Sequence, residues 1–384
     1  MWMTAGFAMI EAGFVRQKNV INQCAKNIGL FAIAASAFVL CGYGLMFPNG
    51  AWFLPGIVGF DGAIQITEVV EYNADFVGRG HAGAGDIFFQ SMFCVAVASI
   101  VSGAVAERMK LASFFIFTAV LTAVIYPIQA SWTWGGGFLA TDMGFVDLAG
   151  SSVVHVVGGV AALTGALFVG ARNGRFVDGK KVALGNYSMP MATLGAMILW
   201  MGWYGFNAGS YLSFSSDADA ANVARIFLNT NLAAAGGVIV AAFVSYFRDN
   251  RFDLSFMLNG ALGGLVAITA EPLFPEPFAA FAIGAAGGLV IFWAVQLLDY
   301  FKIDDVVGAI PVHLFCGIWG TLAVAFTNPD ATLLGQFSSV LIIITYVAIT
   351  TSLVWIFLKE TMGIRVSSAK EEAGIDESDF VLSS

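Results

Sequence analysis

The chain has 384 residues, 58% of them hydrophobic and only 11% charged, and its mean hydropathy is +0.81. Soluble domains carry about 25% charged residues, so a fold of this size cannot hide its apolar surface from water; the solvent it is built for is lipid. A net charge of −9 excludes a nucleic-acid binder, which needs clustered cations.

Apolar runs long enough to cross about 30 Å of hydrocarbon as helices recur from end to end. They are expected near 1–15, 25–47, 86–106, 111–132, 149–171, 186–208, 222–246, 254–271, 277–299, 307–327 and 335–358. The fold class is therefore an all-α polytopic membrane protein with eleven transmembrane helices. A β-barrel would need short alternating segments, which are absent. The first run, "MWMTAGFAMIEAGFV", is short and includes Glu11, so the span is expected to begin upstream; no cleavable signal peptide is visible. The longest connection runs from Pro48 to Gly85, and His81 within it is read as a solvated histidine without function. "LNGALGGL" and "IGAAGGL" suit closely packed helices.

Residues 1–359 are read as one membrane domain and 360–384 as a polar tail expected to be cytoplasmic and loosely held. Cys24, Cys41, Cys94 and Cys316 stand singly, with no metal spacing or disulfide framework. The glycines of "HAGAGDIFF" follow no strand and make no nucleotide fingerprint. With no nucleophile constellation, no enzyme activity, cofactor or metal is expected.

The connecting segments test the orientation. Alternate ones carry all but Arg79 and Arg225 of the 17 Lys and Arg residues, while the opposite side holds Asp61, Glu68, Glu71, Asp75, Asp142, Asp217 and Asp219. The positive-inside rule then puts the N-terminus outside and the C-terminus inside.

An odd helix count lets five helices be followed by five more of opposite direction, an inverted 5+5 repeat. The fifth span reads "VDLAGSSVVHVVGG" and the tenth "IDDVVGAIPVHLFCG". In each, an aspartate stands eight residues before a histidine, Asp147 before His155 and Asp305 before His313, and each continues V-H-x-x-x-G. Eight helical residues rise about 12 Å, so two imidazoles entering from opposite faces meet near the midplane. Single intramembrane histidines often only tie helices together; two at matching depth point to a shared site. Burial disfavours imidazolium, leaving each ring with one N–H donor and one bare nitrogen. Such a pair suits a small neutral hydride or a relayed proton.

These segments, with "AGFAMIEAGFVRQKNV", "FFQSMF", "GAVAERMK", "WGGGFL", "GWYGFNAGS" and "GIRV", resemble in order and spacing the Amt branch of the Amt/Rh ammonium transporter family over nearly the whole chain. The resemblance implies ammonium or ammonia transport by a homotrimer with one pore per protomer, in a cell membrane, with the bacterial inner membrane expected. It implies an outer aromatic cage at Phe93, Trp134 and Ser210, where NH4+ lies over ring faces and donates to a hydroxyl. Phe93 and Phe206 would form a gate, and His155 and His313 would line the pore. Asp147 is expected to cap its helix and to favour the cation through its charge rather than by direct ligation; Asp305 is expected to cap on the inner side. Trp134 favours Amt over Rh-type members. The tail departs from the family's pattern: "GIDESDFVLSS" keeps Gly374 and Asp376 but has Phe380 at the histidine position. That weakens the expectation of a PII-type regulator and leaves room for a cytosolic signalling module. The alternative reading is an Amt-type ammonium sensor with little or no transport.

Overall fold

In lipid every backbone polar group must be satisfied within its own segment, and helices do this. The computed structural model, which describes residues 1–63 and 83–380, is accordingly a mostly helical, polytopic fold. Its helices are α1 (Trp2–Phe14), α2 (Gln17–Met46), α3 (Gly83–Ala104), α4 (Leu111–Ser131) and α5 (Ser151–Val169). They continue as α6 (Met189–Gly209), α7 (Asp217–Asp249), α8 (Leu254–Thr269), α9 (Pro277–Tyr300), α10 (Ile310–Thr327) and α11 (Leu333–Thr361). Among the described residues eight helices are long and apolar enough to cross a membrane: α2, α3, α4, α5, α7, α9, α10 and α11. The helix α8 is apolar but has 16 residues, and α1 has 13. His81, Glu68, Glu71, Asp75 and Arg79 lie outside the described residues.

Two boundaries differ instructively from expectation. The second span was expected from residue 25, with Lys18 and Lys26 counted among the cations of the segment before it. Instead α2 begins at Gln17, and Lys26 is buried in it with Nζ donating to the Ser102 carbonyl at 2.8 Å. Asp217 and Asp219 likewise belong to the first turn of α7, where the Ser216 hydroxyl caps the helix.

Helices in lipid gain little from apolar burial against each other, so close backbone packing must hold them. On α6, a Cβ at Gly195 would fall 2.2 Å from the Ile10 nitrogen of α1. On α9, a Cβ at Gly284 would fall 1.9 Å from the Ala233 carbonyl oxygen of α7. Neither position has room for any side chain. Among the described residues four π-turns interrupt the helices, at Phe38–Gly42, Leu121–Ile125, Ser151–Val156 and Ile310–Phe315. Such turns concentrate at functional sites, and the last two contain the histidines.

Ion pairs knit the basic end together. Arg172 bonds Glu107 and Asp304, each at 2.8 Å; Arg16 also pairs with Glu107, and Arg175 reaches Asp304 at 3.2 Å. The fully buried Arg108 donates to four carbonyls, including that of Asp304 at 2.6 Å. Burial alone would raise the Asp304 carboxyl, but the bonds from Arg172 and the charge of Arg108 hold it below the usual carboxylate range.

The tail is not loosely held over its described length. Two short helices, α12 (Ser368–Ala373) and α13 (Ile375–Asp379), dock on this ion-paired end. Arg365 pairs with Glu371 at 2.7 Å, and Asp376 accepts from the Ile21 and Asn22 nitrogens at 2.9 and 2.7 Å, capping the start of α2. The Ile375 nitrogen donates to Asn19 Oδ1. Charged composition suggested solvation; the charges instead meet partners distant in sequence.

Replacing one member of a buried pair leaves the other uncompensated, at a cost of about 3–5 kcal/mol. Asp304→Ala should therefore lower the apparent Tm of the detergent-solubilised protein far more than Asp299→Ala, whose partner Lys181 is largely exposed.

Candidate functional site

The helices α5 and α10 start in the same way. Three residues after Asp147, Gly150 takes φ +104°; three residues after Asp305, Gly308 takes φ +85°. A positive φ is open to glycine at little cost, and it turns the chain so that the aspartate looks back at the first free N–H groups. Asp147 Oδ1 accepts from Gly150 and Ser151 and Oδ2 from Ser152 and Val153, all at 2.8–2.9 Å. Asp305 accepts from Gly308 at 3.0 Å and Ile310 at 2.6 Å. Each capped start then enters a π-turn carrying its histidine.

Those turns bring His155 and His313 together. Both are buried, their Nδ1 atoms are 3.1 Å apart, and their ring centroids are 5.1 Å apart. Only one hydrogen fits between the two nitrogens, so one ring donates and the other accepts, and the tautomers are complementary. Four residues on from each histidine stands a glycine that admits the opposite helix. A Cβ at Gly159 would fall 2.4 Å from the Leu314 nitrogen, and one at Gly317 would fall 2.6 Å from the Ser151 oxygen.

Aromatic rings cover one side of the pair. His155 lies 5.0 Å from Trp203 and 5.4 Å from Phe206, both stacked. Phe206 stands 4.2 Å from Phe93, which meets Trp134 edge-on at 5.7 Å. Beyond them opens a cavity of about 400 Å³ whose walls include Phe93, Trp134, Asp147, Ser210 and Glu271. Trp134 Nε1 donates to the Asp147 carbonyl at 2.8 Å, which fixes the indole plane. Ser210 Oγ donates to the Phe206 carbonyl at 2.8 Å, so its lone pairs are left for an incoming donor. The Asp147 carboxylate is occupied by its four N–H groups and reaches the cavity through its field. Burial pushes this carboxyl up to about 6, against the opposing pull of those N–H bonds.

The seven residues assigned in the sequence to the cage, the gate and the pore thus lie in one stretch from the cavity to the histidine pair. The sequence reading missed Trp203, which stacks on His155 and is pinned by Nε1 donating to Thr269 Oγ1 at 2.8 Å. Its signal was available: Trp203 precedes Phe206 by three residues and shares its helix face. Gly150 and Gly308 were missed as well, although D-x-x-G recurs before both histidines. Among the described residues no three His, Cys, Asp or Glu side chains could hold a metal ion.

Ionisable side chains buried among membrane helices mark function by default, and the capped histidine pair is that feature here. The sequence model of the Ammonium Transporter Family matches residues 1–382, and the chain belongs to that family. It is similar to the ammonium transporter Amt2 of Archaeoglobus fulgidus, 37% identical over 98% of this chain and 83% of that protein. A putative ammonium transporter of Synechocystis, sll1017, is 40% identical over 98% of this chain and 84% of its own length. Among solved structures, one described as a sensor Amt protein superposes with a TM-score of 0.91 at 32% identity, covering 99% of this chain and 95% of that one. Candida albicans Mep2 superposes with a TM-score of 0.84 at 25% identity, over 96% and 84%.

The raised Asp147 carboxyl has a readable consequence for stability. An acid whose proton affinity is raised on folding favours the folded state below its unfolded value, and that contribution is lost as pH rises through the folded value. The wild type should therefore gain thermal stability relative to Asp147→Asn as pH is lowered from 7 to 4, most steeply midway between the unfolded value and the folded value of about 6. A constant difference across that range would contradict this assignment.

Proposed function

We propose that the protein conducts ammonium across a cell membrane by stripping and relaying its extra proton. NH4+ is held over the Trp134 and Phe93 ring faces by cation–π attraction, donates to Ser210 Oγ, and is favoured by the field of Asp147. It gives up a proton near Phe93 and Phe206, which act as the gate, and neutral ammonia passes along His155 and His313. The observation that carries this reading is the 3.1 Å Nδ1 contact directly behind the aromatic pair that closes the cavity. The His155 Nε2 atom is buried and has no partner among the described residues, and in the tautomer whose Nδ1 donates to His313 it accepts from a passing N–H.

The energetics favour the neutral species. Taking a bare ion out of water costs several kcal/mol even after relaxation, whereas ammonia loses only hydrogen bonds. K+ is similar in size to NH4+ but has no proton to shed, so deprotonation discriminates where shape cannot. The proton crosses on the histidine pair, which makes conduction electrogenic.

The same reading includes eleven spans with an inverted 5+5 repeat, N-terminus outside and C-terminus inside. Its support is the shared D-x-x-G cap, π-turn, histidine and V-H-x-x-x-G run at the starts of α5 and α10. We further propose a homotrimer with one passage per protomer in the bacterial inner membrane. Its docked tail would be the contact for a PII-type regulator or a cytosolic signalling module. A second reading, a sensor that binds NH4+ with little transport, draws on the likeness to the sensor Amt structure.

In proteoliposomes the wild type should pass ammonium-evoked current and exclude K+. His155→Ala and His313→Ala should each cut that current by tenfold or more or admit K+. Wild-type rate and ion specificity in both variants would overturn the paired-histidine reading. Ammonium binding without current would favour the sensor.

A further inference from the structure

On the other side of His313 from the gate lies a small cavity of about 20 Å³, whose walls include Phe7, Glu11, Ser99, Asn259, Val307 and His313. A space of that size holds about one water-sized molecule, and ammonia is equally small. Glu11, in the last turn of α1, is fully buried. Its Oε2 accepts from Asn27 Nδ2 at 2.7 Å, from Ser102 Oγ at 2.8 Å and from Gln23 Nε2. Its Oε1 is equally buried and has no partner among the described residues. That oxygen lies toward Gly103, where a Cβ would meet it at 3.4 Å and Val307, a wall of the cavity, at 2.5 Å. A carboxylate at membrane depth is expensive and marks function by default. Three donors gathered on one oxygen anchor this one while the other stays open on the cavity side.

We propose that Glu11 Oε1 is the proton acceptor at the inner end of the passage. The inference rests on the conductor reading and adds where the proton goes. At the outer site an N–H bond of NH4+ breaks and its electron pair stays on nitrogen as NH3. The proton crosses the Nδ1 contact to His313, leaves through the single molecule in the inner cavity, and forms an O–H bond on Glu11. When ammonia reaches that cavity the O–H bond breaks, a new N–H bond forms, and NH4+ leaves toward the ion-paired end with Glu11 ionised again. The titratable groups around Glu11 are Lys26 and Cys24 of α2 and His313 of α10, and Lys26 in turn feels Glu107 and Arg108 beyond the end of α3. Lys26 is tied to the Ser102 carbonyl, so the residue that donates to Glu11 also holds the nearest cation.

The test is ammonium-evoked current of the reconstituted full chain on a solid-supported membrane, recorded from pH 5 to 8. Glu11→Gln keeps the volume and an acceptor oxygen, and should lower the current at least tenfold at pH 7 while the protein elutes as the wild type does. Ser102→Ala keeps the carboxylate but removes one donor to its ionised form, which raises its proton affinity. The acid limb of the current should then move up by about one pH unit. Glu11→Gln with wild-type current at every pH overturns the role of Glu11 alone. If Glu11→Gln aggregates, an unshifted Ser102→Ala curve overturns it instead. A wild type without ammonium-evoked current overturns both this inference and the conductor reading.

Discussion

The structure depends on one short contact in a dry place: two imidazole nitrogens 3.1 Å apart, buried between helices with a single hydrogen to share. Such a contact cannot tolerate misplacement by an ångström. Much of the local architecture can be understood as holding it. The aspartate caps fix where α5 and α10 begin, the positive-φ glycines aim those caps, and the π-turns set the histidines on facing surfaces. Gly159 and Gly317 then let the two backbones approach until the rings meet. Trp203 and Phe206 lie over His155 from one side, which leaves the ring little room to rotate.

Polarity is rationed around this centre. The gate side is aromatic, and its carboxylate is committed to backbone N–H groups, so it offers charge without offering a ligand. The dense ion pairs lie at the far end, where Glu107, Asp304, Arg108 and Arg172 tie loops and tail to the helix ends. Between them a small hydride finds few acceptors, and the available ones sit on histidine nitrogens and on Glu11. On the proposed reading, such a passage selects by the chemistry of the proton more than by the radius of the ion.

Much of this was legible in the sequence, and the reasons differ by feature. Helix positions followed from the length of apolar runs, because the backbone has few other ways to be satisfied in lipid. The doubled aspartate–histidine spacing anticipated the contact between the two rings because it is written in local sequence at both α5 and α10. Lys26 misled, since a buried lysine held by the Ser102 carbonyl looks in sequence like any loop cation. The docked tail was illegible for a related reason: Asp376 caps α2 from more than three hundred residues away, a pairing that no local pattern encodes. The π-turns were also hidden, because they depend on how the helices pack and not on residue type alone.

The central claim is that His155 and His313 share one proton across their Nδ1 atoms, and 15N NMR of histidine-labelled protein in lipid reads it most directly. The account predicts one ring protonated at Nδ1 and the other bare there, with a coupling between the two nitrogens through the hydrogen bond. Two rings each protonated at Nδ1, or two signals without any coupling, would contradict it.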